Sequence, residues 1–82
     1  MSWFTDRRMD YIDWCLAYNG GVRRGDLMMV FGISTPQASA DLAEFMSLYP
    51  SAMRYDGTAK RYVPARKTYK PRRGAPLGFN WN

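Results

Sequence analysis

Histidine is missing from this 82-residue sequence, and cysteine occurs only once, at Cys15. A lone cysteine cannot close a disulfide within the chain, and without histidine there is no Cys/His zinc site and no imidazole base. The sequence also lacks a glycine-rich phosphate-binding motif. These absences predict a protein that is not an enzyme and that holds no metal, cofactor or small-molecule ligand.

Long apolar runs are missing as well. The longest, residues 27–31, is far shorter than the roughly 20 residues that cross a bilayer. The first ten residues carry four charged side chains and lack the apolar stretch of a signal peptide. We therefore expect a cytoplasmic protein of a reducing compartment, associated with the nucleoid if its partner is DNA.

Acidic residues are scarce in the C-terminal third. Residues 1–53 contain four arginines and six carboxylates, whereas residues 54–82 contain eight lysines and arginines and one acid, Asp56. The two parts therefore carry formal charges of −2 and +7, which give the net charge of +5. A basic block of this kind is typical of a nucleic-acid or membrane-surface partner, although a solvated tail has the same composition.

The spacing of apolar residues predicts two helices in the first third of the chain. The first covers residues 4–18, with Thr5 as its N-cap, and the glycines in residues 19–21 end it. A short second helix is opened or capped by Asp26, and Gly32 breaks it.

A third helix is predicted over about residues 34–47, with two alternative starts. Ser34 and Gln37 match a capping box, whereas Thr35 would serve as the cap if Pro36 occupied the first helical position. The side chains predicted to face the core are Ala38, Leu42, Phe45 and Tyr49.

A β-hairpin is predicted next. Two short runs at residues 52–55 and 60–63 flank the turn sequence Asp56-Gly57. Residues 65–82 are rich in proline and basic residues, so we expect an extended or disordered basic arm there.

The order of these elements predicts an α+β fold, mainly α: a winged helix-turn-helix of three helices and a two-stranded wing. The sequence accordingly divides into a domain of residues 1–64 and the arm of residues 65–82. A helix-turn-helix needs a short turn, often with glycine, so that its second helix can enter the major groove of DNA. The corner at Gly32 fits that requirement.

Two stretches carry a resemblance to a known family: FGISTPQASADL at residues 31–42 and YDGTAKRY at residues 55–62. Over about residues 7–63 the sequence resembles the N-terminal winged-helix domain of WYL-domain transcriptional regulators. The resemblance implies a bacterial or phage regulator, which we expect to be a repressor, binding operator DNA as a homodimer on a palindromic site. No WYL domain follows within the 82 residues, and the basic arm stands in its place.

Base contacts are predicted at the start of the third helix, because the N-terminal residues of a recognition helix reach the base edges. The predicted residues are Thr35, Pro36, Gln37 and Ala40, with Ser39 at the margin. Gln37 can pair with adenine through two hydrogen bonds, and the Thr35 methyl group or Ala40 can contact a thymine methyl group. The alternative role of Gln37 is to complete the capping box, and the two roles compete for one side chain.

Phosphate contacts are predicted from the residues around this helix, because the helix itself carries little positive charge. The predicted residues are Arg23, Arg24, Ser34, Arg54, Lys60, Arg61, Arg66, Lys67, Lys70, Arg72 and Arg73. Asp41 would repel phosphates, so we expect it to pair with Arg23 or Arg24 instead.

Aromatic residues lie near both ends of the chain: Trp3, Phe4, Phe79 and Trp81. We expect them either to form a dimer contact or to fold back over the core. Winged helices also serve as docking domains, so the alternative function is a protein-interaction module on a larger regulator or DNA-processing complex. Sequence-selective binding to double-stranded DNA distinguishes the two functions.

Overall fold

A computed structural model of the chain describes residues 3–74. Its elements in chain order are α1 (Trp3–Trp14), a single π-helical turn (Cys15–Asn19), α2 (Arg24–Phe31), α3 (Thr35–Leu48), β1 (Met53–Asp56) and β2 (Arg61–Pro64). The predicted winged helix-turn-helix architecture is confirmed.

The first helix begins earlier than predicted. Because α1 already includes Trp3, Thr5 lies inside the helix and the prediction that it is the N-cap is wrong. The π-helical turn extends the helix to Asn19, and Gly20 ends it in the left-handed conformation with φ 76°. Of the two residues that follow, Val22 pairs with the wing before the chain continues into α2.

The second helix, α2, also begins earlier than predicted. Arg23 is its N-cap, and Asp26 lies in its first turn, where the carboxylate accepts a hydrogen bond from the Arg23 backbone N–H at 3.0 Å. Gly32 ends α2 with φ 64°, and its N–H donates to the Met28 carbonyl oxygen at 2.9 Å. The glycine corner therefore occurs where the sequence predicted it.

Ser34 is the N-cap of α3, because its hydroxyl oxygen accepts a hydrogen bond from the Gln37 backbone N–H at 3.3 Å. Pro36 lies in the first turn, where a missing N–H leaves no hydrogen bond unmade. Three of the four residues predicted for the core face, Ala38, Leu42 and Phe45, are buried against the other elements. The fourth, Tyr49, is the C-cap of α3 and is half-buried against the core.

The wing is a two-stranded antiparallel sheet in which Met53 pairs with Pro64 and Asp56 pairs with Arg61. The carboxylate of Asp56 accepts backbone hydrogen bonds inside the turn, from Ala59 at 3.2 Å and Thr58 at 2.9 Å, and these bonds lower the pKa of Asp56. Four residues, 57–60, connect the two strands, as expected for an Asp-Gly hairpin with an extended loop.

A third segment joins the wing through Val22, whose backbone exchanges two hydrogen bonds with Tyr62, at 2.9 and 2.8 Å. The preceding residue, Gly21, lies so close to the second strand that a Cβ atom there would be 2.7 Å from the Tyr62 carbonyl oxygen. This contact requires glycine. Together, the Val22 pairing and the close approach at Gly21 join the wing to the end of the first helix.

Residues 65–74, which we call the C-terminal strap, form neither helix nor strand and lie against α1. The completely buried carboxylate of Asp13 accepts three hydrogen bonds from the strap: from the Tyr69 hydroxyl at 2.5 Å and from the backbone N–H groups of Arg72 and Arg73 at 2.9 and 2.6 Å. Burial and the bond to Asp13 raise the pKa of Tyr69. The predicted arm is therefore held to the first helix through Tyr69, Arg72 and Arg73, and residues 75–82 lie outside the described part of the chain.

Candidate nucleic-acid interface

The glycine corner leaves the first two turns of α3 on the surface. Four of the predicted base-contacting residues are exposed there: Thr35, Pro36, Gln37 and Ala40. Ser39, predicted at the margin, is half-buried. Since Ala38, Leu42 and Phe45 occupy the core face, these small polar and apolar groups form the outward face of the helix.

The side chain of Gln37 is tied to its own helix. Its Nε2 donates a hydrogen bond to Oδ1 of Asp41 at 2.9 Å, one helical turn further along. The predicted capping box needs a second bond, between the Gln37 side chain and the Ser34 backbone N–H. The Gln37 side chain bonds to Asp41 instead, so only the bond from the Gln37 backbone N–H to the Ser34 hydroxyl is present.

Asp41 pairs with Arg8 of α1, so the prediction that it pairs with Arg23 or Arg24 is wrong. Its Oδ2 accepts a hydrogen bond from the Arg8 Nε at 2.6 Å, and the two side chains are 3% and 14% exposed. The packing of α1 against α3 places Arg8 next to the carboxylate, whereas Arg24 donates to the Ser39 hydroxyl at 3.3 Å.

Four of the predicted phosphate-contacting cations meet in one concavity between the start of α2, the middle of α3 and the wing. The cavity measures about 460 Å³. Its cations are Arg23, Arg24, Lys60 and Arg61, and we call it the basic pocket. Tyr55 and Tyr62, in edge-to-face contact with ring centroids 5.1 Å apart, supply part of its wall.

Arg61 is held in this pocket by the close approach of the chain at Gly21. A Cβ atom at Gly21 would lie 3.0 Å from the Arg61 Cδ and Nε atoms. The Nε is buried, and among residues 3–74 it has no hydrogen-bond partner.

The cations of the C-terminal strap lie elsewhere. Arg66, Lys70 and Arg72 line a separate groove of about 580 Å³ beside Ser51, and Lys67 is exposed nearby along the strap. Arg54 is exposed on the wing.

Arg73 is the exception among the predicted phosphate contacts, because protein groups already occupy its guanidinium. It donates to Asp10 at 2.5 Å and to the Tyr49 hydroxyl at 3.1 Å, and it lies 3.4 Å from Asp6. Burial opposes its charge, but the bonds to Asp10 and Tyr49 outweigh that effect and raise the pKa of Arg73. A phosphate contact at Arg73 would have to compete with these protein partners, and it stays a prediction.

An apolar groove of about 460 Å³ lies between the start of α1 and the end of α2. Trp3 and Phe4 are 66% and 68% exposed there, beside Val30, Phe31 and Ile33. The fold-back of Trp3 and Phe4 over the core is therefore not seen within the described residues. The dimer contact stays a prediction, and Phe79 and Trp81 lie outside the described residues.

Other site types find no support within residues 3–74. No three potential metal ligands converge in that part of the chain. None of its helices has the length and apolar character needed to cross a membrane.

A family model described as the BrxR transcriptional regulator winged helix-turn-helix domain matches residues 5–72. That match runs through the wing and most of the C-terminal strap. It confirms the resemblance to the DNA-binding domains of bacterial regulators that the sequence predicted.

Three bacterial relatives are each named DNA-binding transcriptional repressor CapW. The protein of Escherichia coli (strain KTE188) is 39% identical over 69 residues, which are 84% of this chain and 23% of that protein. The Stenotrophomonas maltophilia protein is 44% identical over 71 residues, 87% of this chain and 23% of that protein. The Pseudomonas aeruginosa protein is 42% identical over 60 residues, 73% of this chain and 20% of that protein. The chain thus spans less than a quarter of the length of these relatives.

Proposed function

The chain belongs to the family of BrxR transcriptional regulator winged helix-turn-helix domains, and from that premise we propose that it binds double-stranded DNA as the sequence-reading part of a transcriptional repressor. The observation that carries the proposal is the position of the exposed face of α3 directly beside the basic pocket. A recognition helix needs both: small polar groups that reach base edges and nearby cations that hold the phosphates.

In the proposed complex, α3 lies in the major groove with its first two turns against the bases. Gln37 pairs with an adenine, and the methyl groups of Thr35 and Ala40 contact thymine methyl groups. Pro36 and Ser39 complete the contact surface.

The basic pocket receives the sugar-phosphate backbone between α3 and the wing. Its four cations, together with the Ser34 end of α3 and Arg54 on the wing, supply about six phosphate contacts. Each cation that neutralises a phosphate contributes about −0.9 to the slope of log K against log salt, so the five cations give a slope of about −4.5. Affinity should then fall on the order of a thousandfold between 50 and 200 mM salt.

A homodimer on a palindromic site is part of the proposal, because one recognition helix covers only a short half-site. The two half-sites should lie about 34 Å apart or a multiple of that distance, so that both helices enter the same side of the duplex. The named function of the CapW relatives, repression, supports the same role here.

Fluorescence anisotropy with duplex DNA from upstream of its own gene tests the proposal. We expect tight binding to one duplex and loss of that selectivity in Gln37→Ala and Thr35→Ala. Ser47→Ala, an exposed change further along the same helix, is the matched control and should bind like the wild type. Weak binding that is equally salt-sensitive on every duplex would contradict sequence-specific repression and favour the docking function.

A further inference from the structure

The side-chain amide of Gln37 has a fixed orientation in the free protein. Nε2 faces Asp41 Oδ1 at 2.9 Å, and the other oxygen of that carboxylate, Oδ2, accepts the Arg8 Nε at 2.6 Å. An ionised carboxylate has acceptors only, so a reversed amide would place Oε1 against Oδ1, acceptor against acceptor. The Asp41 carboxylate therefore selects one of the two amide orientations.

This bond also changes what Gln37 can offer to a base. A glutamine amide has two N–H donors and one carbonyl acceptor. One donor is used by Asp41, which leaves one N–H and the Oε1 acceptor for DNA. Adenine needs that combination, since its N7 accepts and its N6 amino group donates. Guanine presents two acceptors, N7 and O6, and would need both N–H groups.

We propose that the Arg8–Asp41 pair sets the base preference of Gln37 for adenine over guanine without contacting DNA. The proposal rests on the proposed function. Asp41 is a specificity-determining positioning residue that acts through Gln37, and Arg8 holds its carboxylate from the neighbouring helix α1. Both side chains are too buried to serve as phosphate contacts, at 3% and 14% exposure.

The test starts from a duplex selected in vitro by the wild-type chain. Each A·T pair of that duplex is changed in turn to G·C, and the ratio of the two affinities is measured at each position. For the wild type we expect one position, identified by Gln37→Ala, where adenine is preferred by roughly tenfold or more. In Asp41→Asn the oxygen of the new amide stays with the Arg8 Nε, so its NH₂ group faces Gln37 and favours the reversed Gln37 amide. The preference for adenine at that position should then fall below about threefold.

The ratio compares two duplexes with one protein sample, so partial unfolding of a variant does not change it. The preferences at all other positions should stay as in the wild type. In the double variant Asp41→Asn/Gln37→Ala, the ratio at the marked position should equal that of Gln37→Ala alone, because the effect of Asp41 passes through Gln37. If Asp41→Asn keeps the wild-type ratio, or lowers the ratios at every position equally, the proposal is overturned.

A second measurement does not need a folded variant. Gln37 is the only glutamine in the chain, and its side-chain NH₂ signals are distinguished from those of the three asparagines by their loss in Gln37→Ala. In the free wild-type protein their heteronuclear NOE should approach that of the α3 backbone, and freely rotating values would overturn the proposal. Failure of the proposed function looks different, because the wild type would then select no duplex at all. Selection of a duplex on which Gln37→Ala changes no position would overturn the inference and the base contact assigned to Gln37, while DNA binding by the chain would stand.

Discussion

Replacing Asp13 by asparagine should separate the C-terminal strap from α1. Asp13 is completely buried, and its two carboxylate oxygens accept three hydrogen bonds, one from the Tyr69 hydroxyl and two from strap backbone N–H groups. An asparagine of the same shape can keep its oxygen toward Tyr69 and Arg72, but its NH₂ group then faces the Arg73 N–H. Two donors meet, and at least one hydrogen bond to a charged acceptor is lost.

The expected cost follows from that lost bond. A hydrogen bond to a charged group contributes about 1.5–3 kcal/mol, and a buried donor left without a partner costs a similar amount. We therefore expect Asp13→Asn to lower the free energy of unfolding by at least about 2 kcal/mol. For a domain of 60–100 residues this corresponds to a fall in Tm of roughly 8–16 °C.

Thermal and urea unfolding followed by circular dichroism at pH 7 measure this change. Tyr69→Phe removes one of the three bonds and should cost about 1.5–3 kcal/mol. Glu44→Gln neutralises an exposed carboxylate on α3 and should change the stability by less than about 0.5 kcal/mol. A stability of Asp13→Asn within about 0.5 kcal/mol of the wild type would refute the role assigned to the buried carboxylate.

Three further outcomes are expected. Gly21→Ala should lower the free energy of unfolding by about 1–3 kcal/mol in urea titrations, because the new methyl group meets the Tyr62 carbonyl oxygen. The control Gly25→Ala should raise the free energy of unfolding by about 0.5–1 kcal/mol, because α2 has open space at that position. Burial raises the pKa of Cys15 from 9.0 to about 11, so the neutral thiol contributes about 2–3 kcal/mol to stability, which is fully present below pH 9 and is lost as pH rises through 11. When the free energy of unfolding is measured from pH 7 to 11, it should therefore fall less steeply in Cys15→Ala than in the wild type. Lys60→Ala should weaken DNA binding on every duplex alike and make the salt slope less negative by about 1, and an unchanged slope would contradict the placement of Lys60 at a phosphate.

The elements of this fold were predictable where a short stretch of sequence determines them. Gly32 at the corner, Ser34 as a cap and the Asp56 turn act on residues two to four positions away. Local pattern predicted the corner and the turn, and it gave Ser34 as one of two alternative caps. The start of α1 was missed because Thr5 has the side chain of a cap, although the helix already includes Trp3.

The contacts that shape the candidate site could not be predicted in the same way. Arg8 and Asp41 are 33 positions apart, and Asp13 is about 60 positions from the strap residues that it binds. Such pairs depend on how α1 packs against α3 and on the path of the strap, and no spacing in the sequence encodes either. For the same reason the sequence did not predict the intramolecular partners of Arg73, a cation in a basic segment.

An NMR titration of the ¹⁵N-labelled chain with its selected duplex tests the central claim most directly. If α3 reads the bases and the basic pocket holds the backbone, the largest shifts should fall on residues 34–40 and on the pocket residues of α2 and the wing. The amides beside Asp13 in α1 should change little, since that side chain is completely buried and no contact with DNA is proposed for it. Shifts concentrated on the groove beside Trp3, or on the strap, with α3 unchanged would contradict the account.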